Sequence, residues 1–260
     1  MTHRYVVMFS GGAASWAAAR RVVDSGVPLD AITLLFTDTK TEDADLYRFL
    51  DDAAQDIGVP VTTLADGRDI WQVFKDERFL GNTRADPCSR ILKRSLSRAW
   101  VEANCDPDHT TIVMGLDWTE VHRHDRTAKA WAPWYVESPM TMPPYRLKAE
   151  MLADLEARGI RPPRLYGLGF AHNNCGGGCV KAGRSHFVQL LQVFPARYAE
   201  WERNEEEVRQ HIGADVSILR DRSGGETSVM TLAALRQEVE AGIAQPLWDI
   251  GGCGCFEEPA

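Results

Sequence analysis

Residues 5–15 of the chain read YVVMFSGGAAS, a short apolar run that ends in a serine, two glycines and, after two alanines, a second serine. A continuous run of aliphatic and aromatic residues is typical of a buried β-strand. The residues that follow, SWAAARR at 15–21, have helical composition. The stretch therefore predicts a strand, a tight glycine turn and a helix in direct succession.

The same alternation continues through the first half of the chain. Further strands are predicted at 31–36, 61–64 and 110–115, and helices at 42–57 and 89–102. Strands that are apolar throughout and joined by helices indicate a parallel sheet buried on both faces. We therefore expect an α/β fold with a doubly wound parallel sheet.

The composition of the sequence changes beyond residue 133, where prolines and then glycines become frequent. Amphipathic helices are predicted at 187–212 and 232–243. The expected division is an α/β domain over 1–140 and, over 141–260, a cysteine-bearing segment with a helical C-terminal extension that packs on the same core.

The amino-acid composition of the chain excludes some classes of protein function. The 260 residues are 44% hydrophobic and 25% charged, as in a globular protein, and the formal net charge of −8 argues against a dedicated duplex-DNA binder. A cluster of basic residues at 84–98 leaves local contact with nucleic acid open. The first apolar run is too short for a signal peptide or a membrane span, so a cytoplasmic protein without membrane contact is expected. A homodimer is left open.

The glycine turn has a direct physical use. Gly11 and Gly12 allow the backbone to approach an anion, while N–H groups at the start of the helix and the hydroxyls of Ser10 and Ser15 can bind it. No Gly-Lys-Ser/Thr follows, so the turn is not a Walker A loop. The competing interpretation is a tight connection with no ligand.

Polar residues follow the other predicted strands, at the sheet edge where ligands of such folds bind. Asp38 follows the second strand, either as a ligand-binding acid or as a helix cap. Glu120 and Arg123 are three residues apart and can form an ion pair on one helical face. Arg123, with Arg126, is a candidate for binding phosphate or sulfate, since a guanidinium matches those oxygens.

The chain has six cysteines, which in a reducing compartment favour metal or redox chemistry over disulfides. Cys175 and Cys179 flank three glycines, and Cys88 begins a predicted helix whose positive end would favour its thiolate. A fourth ligand could come from Cys253 or Cys255. Three schemes stay open: a four-cysteine [4Fe–4S] cluster, a three-cysteine cluster with an open iron, and a structural Zn²⁺.

Several motifs resemble, in the same order, those of the PP-loop adenine-nucleotide α-hydrolases, in particular the phosphoadenosine phosphosulfate reductase-like branch. The resemblance covers roughly residues 5–181. Its motifs are Ser10-Gly11-Gly12-x-x-Ser15, Phe36-Thr37-Asp38-Thr39, Pro87-Cys88-Ser89-Arg90-Ile91-Leu92-Lys93, Gly115-x-x-x-x-Glu120-x-x-Arg123 and the segment from Asn174 to Cys179.

The resemblance implies an enzyme that binds ATP or a related adenine nucleotide and performs sulfur chemistry, with Asp38 near the ribose or Mg²⁺. The residues implied in nucleotide binding are Ser10, Gly11, Gly12, Ser15, Asp38, Gly115, Glu120, Arg123 and Arg126. Those implied as ligands of an iron–sulfur cluster are Cys88, Cys175 and Cys179, with Cys255 as the fourth. Cys253 and Cys255, with Asp38 and Arg123, are the catalytic candidates, because sulfonucleotide reductases carry a nucleophilic cysteine near the C-terminus.

One departure from the family affects the mechanism. Enzymes of this family that release pyrophosphate usually carry Lys and Asp inside the loop, where this chain has Ala13 and Ala14. The leading hypothesis is adenylation-dependent transfer of sulfur, from a small thiol or other sulfur donor, to a base or small molecule. The alternatives are sulfonucleotide reduction by a tail cysteine and a non-catalytic nucleotide or nucleic-acid binding module with structural zinc.

Overall fold

A computed structural model describes residues 2–81, 85–221 and 227–243 of the chain. Its centre is a sheet of five parallel strands in the order β3-β2-β1-β4-β5. The strands are β1 Arg4–Met8, β2 Ile32–Asp38, β3 Val61–Ala65, β4 Thr110–Val113 and β5 Tyr135–Glu137. The predicted α/β class and the parallel sheet are confirmed.

Both faces of the sheet are covered, as the continuous apolar runs predict. Val7 and Phe9 pack on one face with helices α1 (Ala13–Asp24) and α2 (Ala44–Ile57). Val6 and Met8 pack on the other face with residues of helix α5 (Leu96–Asn104). Successive residues of a strand point to opposite faces, so an apolar run fills both layers.

Helices cover the sheet and form the extension. They are α1 Ala13–Asp24, α2 Ala44–Ile57, α3 Ile70–Asp76, α4 Pro87–Ser89, α5 Leu96–Asn104, α6 His124–Trp131, α7 Lys148–Ala157, α8 Arg164–Gly167, α9 Arg184–Val193, α10 Pro195–Ile212 and α11 Leu232–Glu240. Single 3₁₀ segments cover Leu29–Ala31, Pro107–His109, Trp118–Arg123, Pro139–Thr141 and Cys175–Gly177. Two short strands, β6 Leu219–Asp221 and β7 Ser228–Met230, form a separate antiparallel pair.

Three details depart from the sequence-based expectations. The helix predicted over 187–212 is two helices, α9 and α10, because Pro195 has no N–H to continue the first one. The three-residue strand β5 was not predicted, since it is too short to show a periodic pattern. The helix predicted over 89–102 contains a π-helical stretch, Arg90–Ser95, between α4 and α5.

The chain beyond residue 140 contributes to the apolar packing around the sheet. Met151 and Leu155 of α7 belong to the same apolar cluster as Trp16 of α1. Helices α9 to α11 pack with α3 and the two cysteines Cys175 and Cys179 in a second cluster. The division into 1–140 and 141–260 stays a prediction. None of the helices in the described ranges is long and apolar enough to cross a membrane.

Candidate functional site

The turn after β1 has the conformation that its glycines predict. Gly11 has a φ of +73°, a region that favours glycine. Gly12 precedes α1 and has no side chain to cap the first N–H groups of that helix. The Ser15 hydroxyl donates to the Gly12 carbonyl at 2.8 Å, and the Ser10 hydroxyl lies 3.3 Å from that of Ser15. Backbone N–H groups and two hydroxyls therefore meet at the positive end of α1, as in an anion site.

A second glycine brings β4 against the same turn. A Cβ atom on Gly115 would lie 2.7 Å from the Cα atom of Ser15, a distance that real side chains do not adopt. Only glycine therefore permits the loop after β4 to contact the start of α1. This contact lies where the strand order reverses around β1, which is the ligand-binding edge of doubly wound sheets.

A cavity of about 310 Å³ opens at this edge, a volume within the range of small-molecule sites. Three cationic side chains face it from outside the glycine turn: Lys93, Arg123 and Lys148. The described residues that line it are Met8, Ser10, Gly12, Ala14, Ser15, Lys93, Met114, Gly115, Leu116, Asp117, Thr119, Glu120, Arg123, Thr127, Lys148, Met151, Tyr166, His172, Asn173 and Asn174. The cavity combines backbone donors with positive charge, which suits a phosphate-bearing ligand.

The predicted pair of Glu120 and Arg123 forms and lines the cavity. Arg123 is buried and makes an ion pair with Glu120. The Asp117 carboxylate accepts from the Thr119 N–H at 2.8 Å, and Glu120 accepts from the Asp117 N–H, so the two acids cap the 3₁₀ segment. This local capping holds Arg123 against the wall of the cavity.

Three residues proposed for the nucleotide are not among the described residues that line the cavity. The Asp38 carboxylate accepts hydrogen bonds from the Lys40 N–H at 2.8 Å and the Tyr47 hydroxyl at 2.9 Å. Arg126 is exposed on α6. Gly11 shapes the turn, and its carbonyl accepts from the Asn173 side chain at 3.1 Å. Their roles in ligand binding stay predictions.

The three cysteines of the central motifs come together. Cys88 at the start of the 87–104 helical region and Cys175 and Cys179 of the glycine-rich loop line one small hollow of about 20 Å³. Cys175 has a φ of +50°, which is uncommon for a residue with a side chain and occurs at functional sites. Cys253 and Cys255 lie outside the described residues.

The donor set suits a group that prefers sulfur. Three cysteines line one hollow together with Lys93, Lys181 and Asp86. The ammonium groups of the two lysines lie 3.4 Å from the Glu42 carboxylate and 3.3 Å from that of Asp86. The described residues contain no group of three or more His, Cys, Asp or Glu side chains placed for a single metal ion. Three convergent thiols are the donor set that an iron–sulfur cluster takes.

One electrostatic expectation for Cys88 is wrong. Its position at a helix start was expected to favour the thiolate, but burial, with the nearby Cys175 and Asp86, raises the pKa of the Cys88 thiol to about 12. Desolvation disfavours the charged form more than the helix end favours it. In the metal-free chain, Cys88 is a neutral thiol at pH 7.

Buried acids hold the cysteine loop in place. Glu42 accepts from the Cys175 N–H at 2.6 Å and from the Thr39 hydroxyl at 3.0 Å. Lys93, also buried, contacts the other side of the same carboxylate at 3.4 Å. Glu42 therefore ties the loop after β2 to the loop that carries two of the cysteines.

Asp43, which is fully buried, makes the next connection. Its carboxylate accepts two hydrogen bonds from Arg164 at 2.8 Å and one from Arg197 at 2.9 Å. Burial alone would raise the pKa of Asp43, but these hydrogen bonds and that of the Asp45 N–H hold it below its ordinary value. Arg197 also donates to the Gly176 carbonyl within the cysteine loop.

Helix α10 supports the cysteine loop along one face. Arg197, Trp201 and Glu205 are four residues apart, so their side chains leave the helix on the same side. The Trp201 ring packs against Gly178 so closely that a Cβ there would overlap it. Glu205 accepts from the N–H groups of Ile218 and Leu232 at 2.9 and 2.6 Å. Burial raises the pKa of Glu205 to about 7.

Lys93 joins the two sites, because its side chain lines both the cavity and the cysteine hollow. Sequence reasoning placed Lys93 in a motif but did not select it as a site residue. Glu42, Lys148 and Tyr166 were also missed. The Tyr166 hydroxyl lies 3.4 Å from the Ala13 N–H, at the anion-binding end of α1. Nothing local marks Tyr166, and a spacing of five residues would place Lys93 and Cys88 on different sides of an ordinary helix.

Comparisons with known proteins bear mainly on the fold. No protein-family model matches the chain, and no curated protein matches it. Among solved structures, the chain is similar to the U34-tRNA thiolase NcsA from Methanococcus maripaludis with its [4Fe–4S] cluster. That similarity has a TM-score of 0.44 and 14% identity over 98% of this chain and 81% of that one. The parallel sheet, with the glycine turn after its central strand, is consistent with the resemblance to PP-loop proteins.

Proposed function

We propose that the chain is an enzyme that binds an adenine nucleotide in the cavity and performs sulfur chemistry beside it. The reaction is the transfer of sulfur to a carbonyl carbon of a base or small molecule after adenylation of the carbonyl oxygen. The observation that carries the proposal is the position of Lys93, which faces the cavity on one side and three cysteines on the other.

The phosphates are assigned to the turn after β1. The N–H groups at the start of α1 donate to phosphate oxygens, and the hydroxyls of Ser10 and Ser15 join them by rotating away from their internal acceptors. Arg123 and Lys148 supply charge from the facing wall. The loop itself carries Ala13 and Ala14, so these external cations take the place of charged loop side chains. This arrangement stabilises the negative charge that moves to the leaving group.

In the first step, the acceptor carbonyl oxygen attacks the α-phosphorus of ATP. The bond from that phosphorus to the bridging oxygen breaks, and pyrophosphate leaves with the electron pair. In the second step, hydrosulfide attacks the activated carbon, the carbon–oxygen bond breaks and AMP departs with the oxygen. Loss of the sulfur-bound proton leaves a thiocarbonyl. The sulfur donor is external to the chain.

Cys88, Cys175 and Cys179, with Cys255 as the fourth candidate, would hold the cluster. With Cys255 bound, every iron would have a cysteine ligand; with the other three cysteines alone, the open iron would supply a place to keep sulfide reactive and close to the acceptor. Lys93 stabilises negative charge on both sides, at the phosphates and at the thiolates. Glu42 orients the Lys93 ammonium and the backbone of Cys175.

The test is anaerobic incubation of the iron- and sulfide-reconstituted protein with labelled ATP, sulfide and candidate carbonyl acceptors. Formation of AMP and pyrophosphate is expected, and Lys93→Met should reduce it at least 100-fold. Arg236→Gln, on α11, is the control, because it removes a paired cation that lines neither site. A colourless protein that contains zinc and no iron, and that forms neither AMP from ATP nor sulfite from a sulfonucleotide, would leave only the nucleotide-binding module.

Ala14 on the cavity wall favours a second candidate, sulfonucleotide reduction. That reaction needs no release of pyrophosphate, and so needs no charged loop side chains for it. A thiolate of Cys253 or Cys255 would attack the sulfonucleotide sulfur, the nucleotide would leave, and a second thiol would release sulfite and form a disulfide. Sulfite released from phosphoadenosine phosphosulfate, without AMP from ATP, would select this reaction.

A further inference from the structure

A second cavity lies between α1, α7 and the segment at 139–146, with a volume of about 290 Å³. Four arginines line it: Arg20, Arg21, Arg146 and Arg158. The two lining acids are Asp24 and Asp154. The wall therefore has an excess of positive charge in a chain with a formal net charge of −8. We call it the arginine groove.

Arg21 supplies positive charge that no carboxylate neutralises directly. Its guanidinium donates to the backbone carbonyls of Pro139, Met142 and Pro144, which fix it in place. Among the described residues, no carboxylate lies within 4 Å of it. Burial and the charge of Arg146 lower the pKa of Arg21, as expected for two cations brought close together. An anion in the groove would relieve that repulsion.

Two of the other arginines are held by pairs that are easily exchanged. Arg146 pairs with Asp154, and Arg158 pairs with Asp56 at 3.2 Å, and both arginine side chains are about 40% exposed. Exposed ion pairs contribute little to stability. A phosphate can therefore replace these carboxylates as partner at small cost.

An exposed aromatic pair adjoins, along the chain, residues that line each of the two cavities. Tyr145 precedes Arg146 of the groove, and its ring centroid lies 6.1 Å from that of Trp118. Both rings are exposed, and the neighbours of Trp118 in sequence, Asp117 and Thr119, line the first cavity. Met151 lines both cavities. The rings therefore stand at the boundary between the arginine groove and the proposed nucleotide site.

We infer that the arginine groove and this aromatic pair bind a single-stranded nucleic acid, which presents a base to the first cavity. Guanidinium groups bind the backbone phosphates, and the rings of Trp118 and Tyr145 stack on an unpaired base. This inference rests on the proposed function, since the presented base is the carbonyl acceptor. An acidic peptide would use the arginines but would leave the adjacent rings without a role.

The test is fluorescence anisotropy of a labelled 12-nucleotide single strand, as RNA and as DNA, over a salt series with the full chain. Arg146→Gln/Arg158→Gln should weaken binding about tenfold and reduce the salt slope by about 1.4, as expected for two lost phosphate contacts. Trp118→Ala should weaken binding with an unchanged slope. Arg236→Gln, which removes a similarly exposed paired arginine from α11, should bind like the unaltered chain.

Calorimetric titration with ATP separates this inference from the proposed function. The groove variants should bind ATP normally, because none of these residues lines the first cavity. Normal strand binding by Arg146→Gln/Arg158→Gln would overturn the inference. So would equal competition by polyglutamate together with no effect of Trp118→Ala, which would indicate an acidic protein partner. Loss of strand binding would support the groove even if no AMP formed from ATP.

Discussion

The two sites that Lys93 joins are built in different ways. The cavity is made mainly from residues that directly follow β1 and β4, so two strand ends and their glycines produce most of its anion-binding wall. The cysteine hollow is made from segments far apart in sequence, held by Glu42, Asp43 and α10. The cavity therefore depends on local backbone geometry, whereas the hollow depends on buried charge and long-range packing. Substitutions should separate these two dependences.

The largest effect is expected from Asp43→Asn, which leaves two guanidinium groups without their carboxylate. Removing one partner of a buried ion pair costs about 3 to 5 kcal/mol. Urea unfolding should show this loss, and mass spectrometry should show faster alkylation of Cys175 and Cys179 in the metal-free chain. Asp52→Asn, which removes a half-exposed partner of Arg48, should change neither measurement.

The stability lost in Asp43→Asn should depend on pH. The folded-state pKa of Asp43 lies below its unfolded value, so its contribution to stability is present above the unfolded pKa and is lost as pH falls through the folded pKa. The difference between the chain and Asp43→Asn should therefore shrink in acid. A difference that stays constant down to low pH would show that the carboxylate charge is not what holds the loop.

Gly115→Ala and Gly178→Ala test the two sites with the same added methyl group. Each should cost about 3 kcal/mol, as overpacking does in tight contacts. Gly115→Ala pushes on the backbone of Ser15 and should abolish nucleotide binding, whereas Gly178→Ala pushes on Trp201 and should expose the cysteines to alkylation. Gly167→Ala is the control, because nothing lies within 4 Å of its added carbon. Loss of ATP binding in a folded Gly178→Ala protein would contradict the separation.

Glu205 tests the support of the hollow through its titration. Because its folded-state pKa is about 7 and its unfolded value near 4.5, the folded chain binds more protons between these values. The free energy of unfolding should therefore fall as pH rises from about 4.5 to 7, by about 2 to 3 kcal/mol from this group. Glu205→Gln should remove that slope. Denaturant titrations of both proteins across this range would reveal it, and equal slopes would refute the assignment.

The smallest effect is expected from Lys148→Met, which removes one cation from the cavity wall. ATP affinity should fall about tenfold, or about 1.4 kcal/mol, and Lys148→Arg should retain most of it. Lys75→Met, which removes a lysine paired with Glu207, is the matched control. Unchanged affinity in Lys148→Met would assign the phosphates to the glycine turn and the other cations alone.

The parallel sheet and the glycine turn could be predicted from the sequence because their signals are local. Apolar runs of five or six residues and the paired glycines of residues 11 and 12 specify strand, turn and helix without reference to the rest of the chain. The pair of Glu120 and Arg123 was predictable for the same reason, since a spacing of three residues sets their contact. These features are the ones the cavity depends on.

The supports of the hollow could not be predicted in this way. Asp43 meets Arg164 and Arg197 only through the tertiary fold, and no spacing connects them. The pKa of Cys88 was misjudged because the helix end is visible in sequence whereas burial is not. Asp38 is the last residue of β2, where the sequence placed it just after the strand. Its carboxylate accepts from the Tyr47 hydroxyl, and that contact depends on how α2 packs.

The π-helical stretch Arg90–Ser95 has a consequence for how Cys88 and Lys93 face one hollow. In a regular α-helix, residues five apart point about 140° away from each other. A wider turn, in which each N–H reaches back five residues, reduces that angle and brings such residues toward the same side. The π-helical stretch therefore rotates Lys93 toward the side of the helix that carries Cys88, so that both residues line the same hollow. With the same sequence wound as an unbroken α-helix, the spacing of five residues would turn Lys93 away from Cys88 and separate the two sites that the lysine joins.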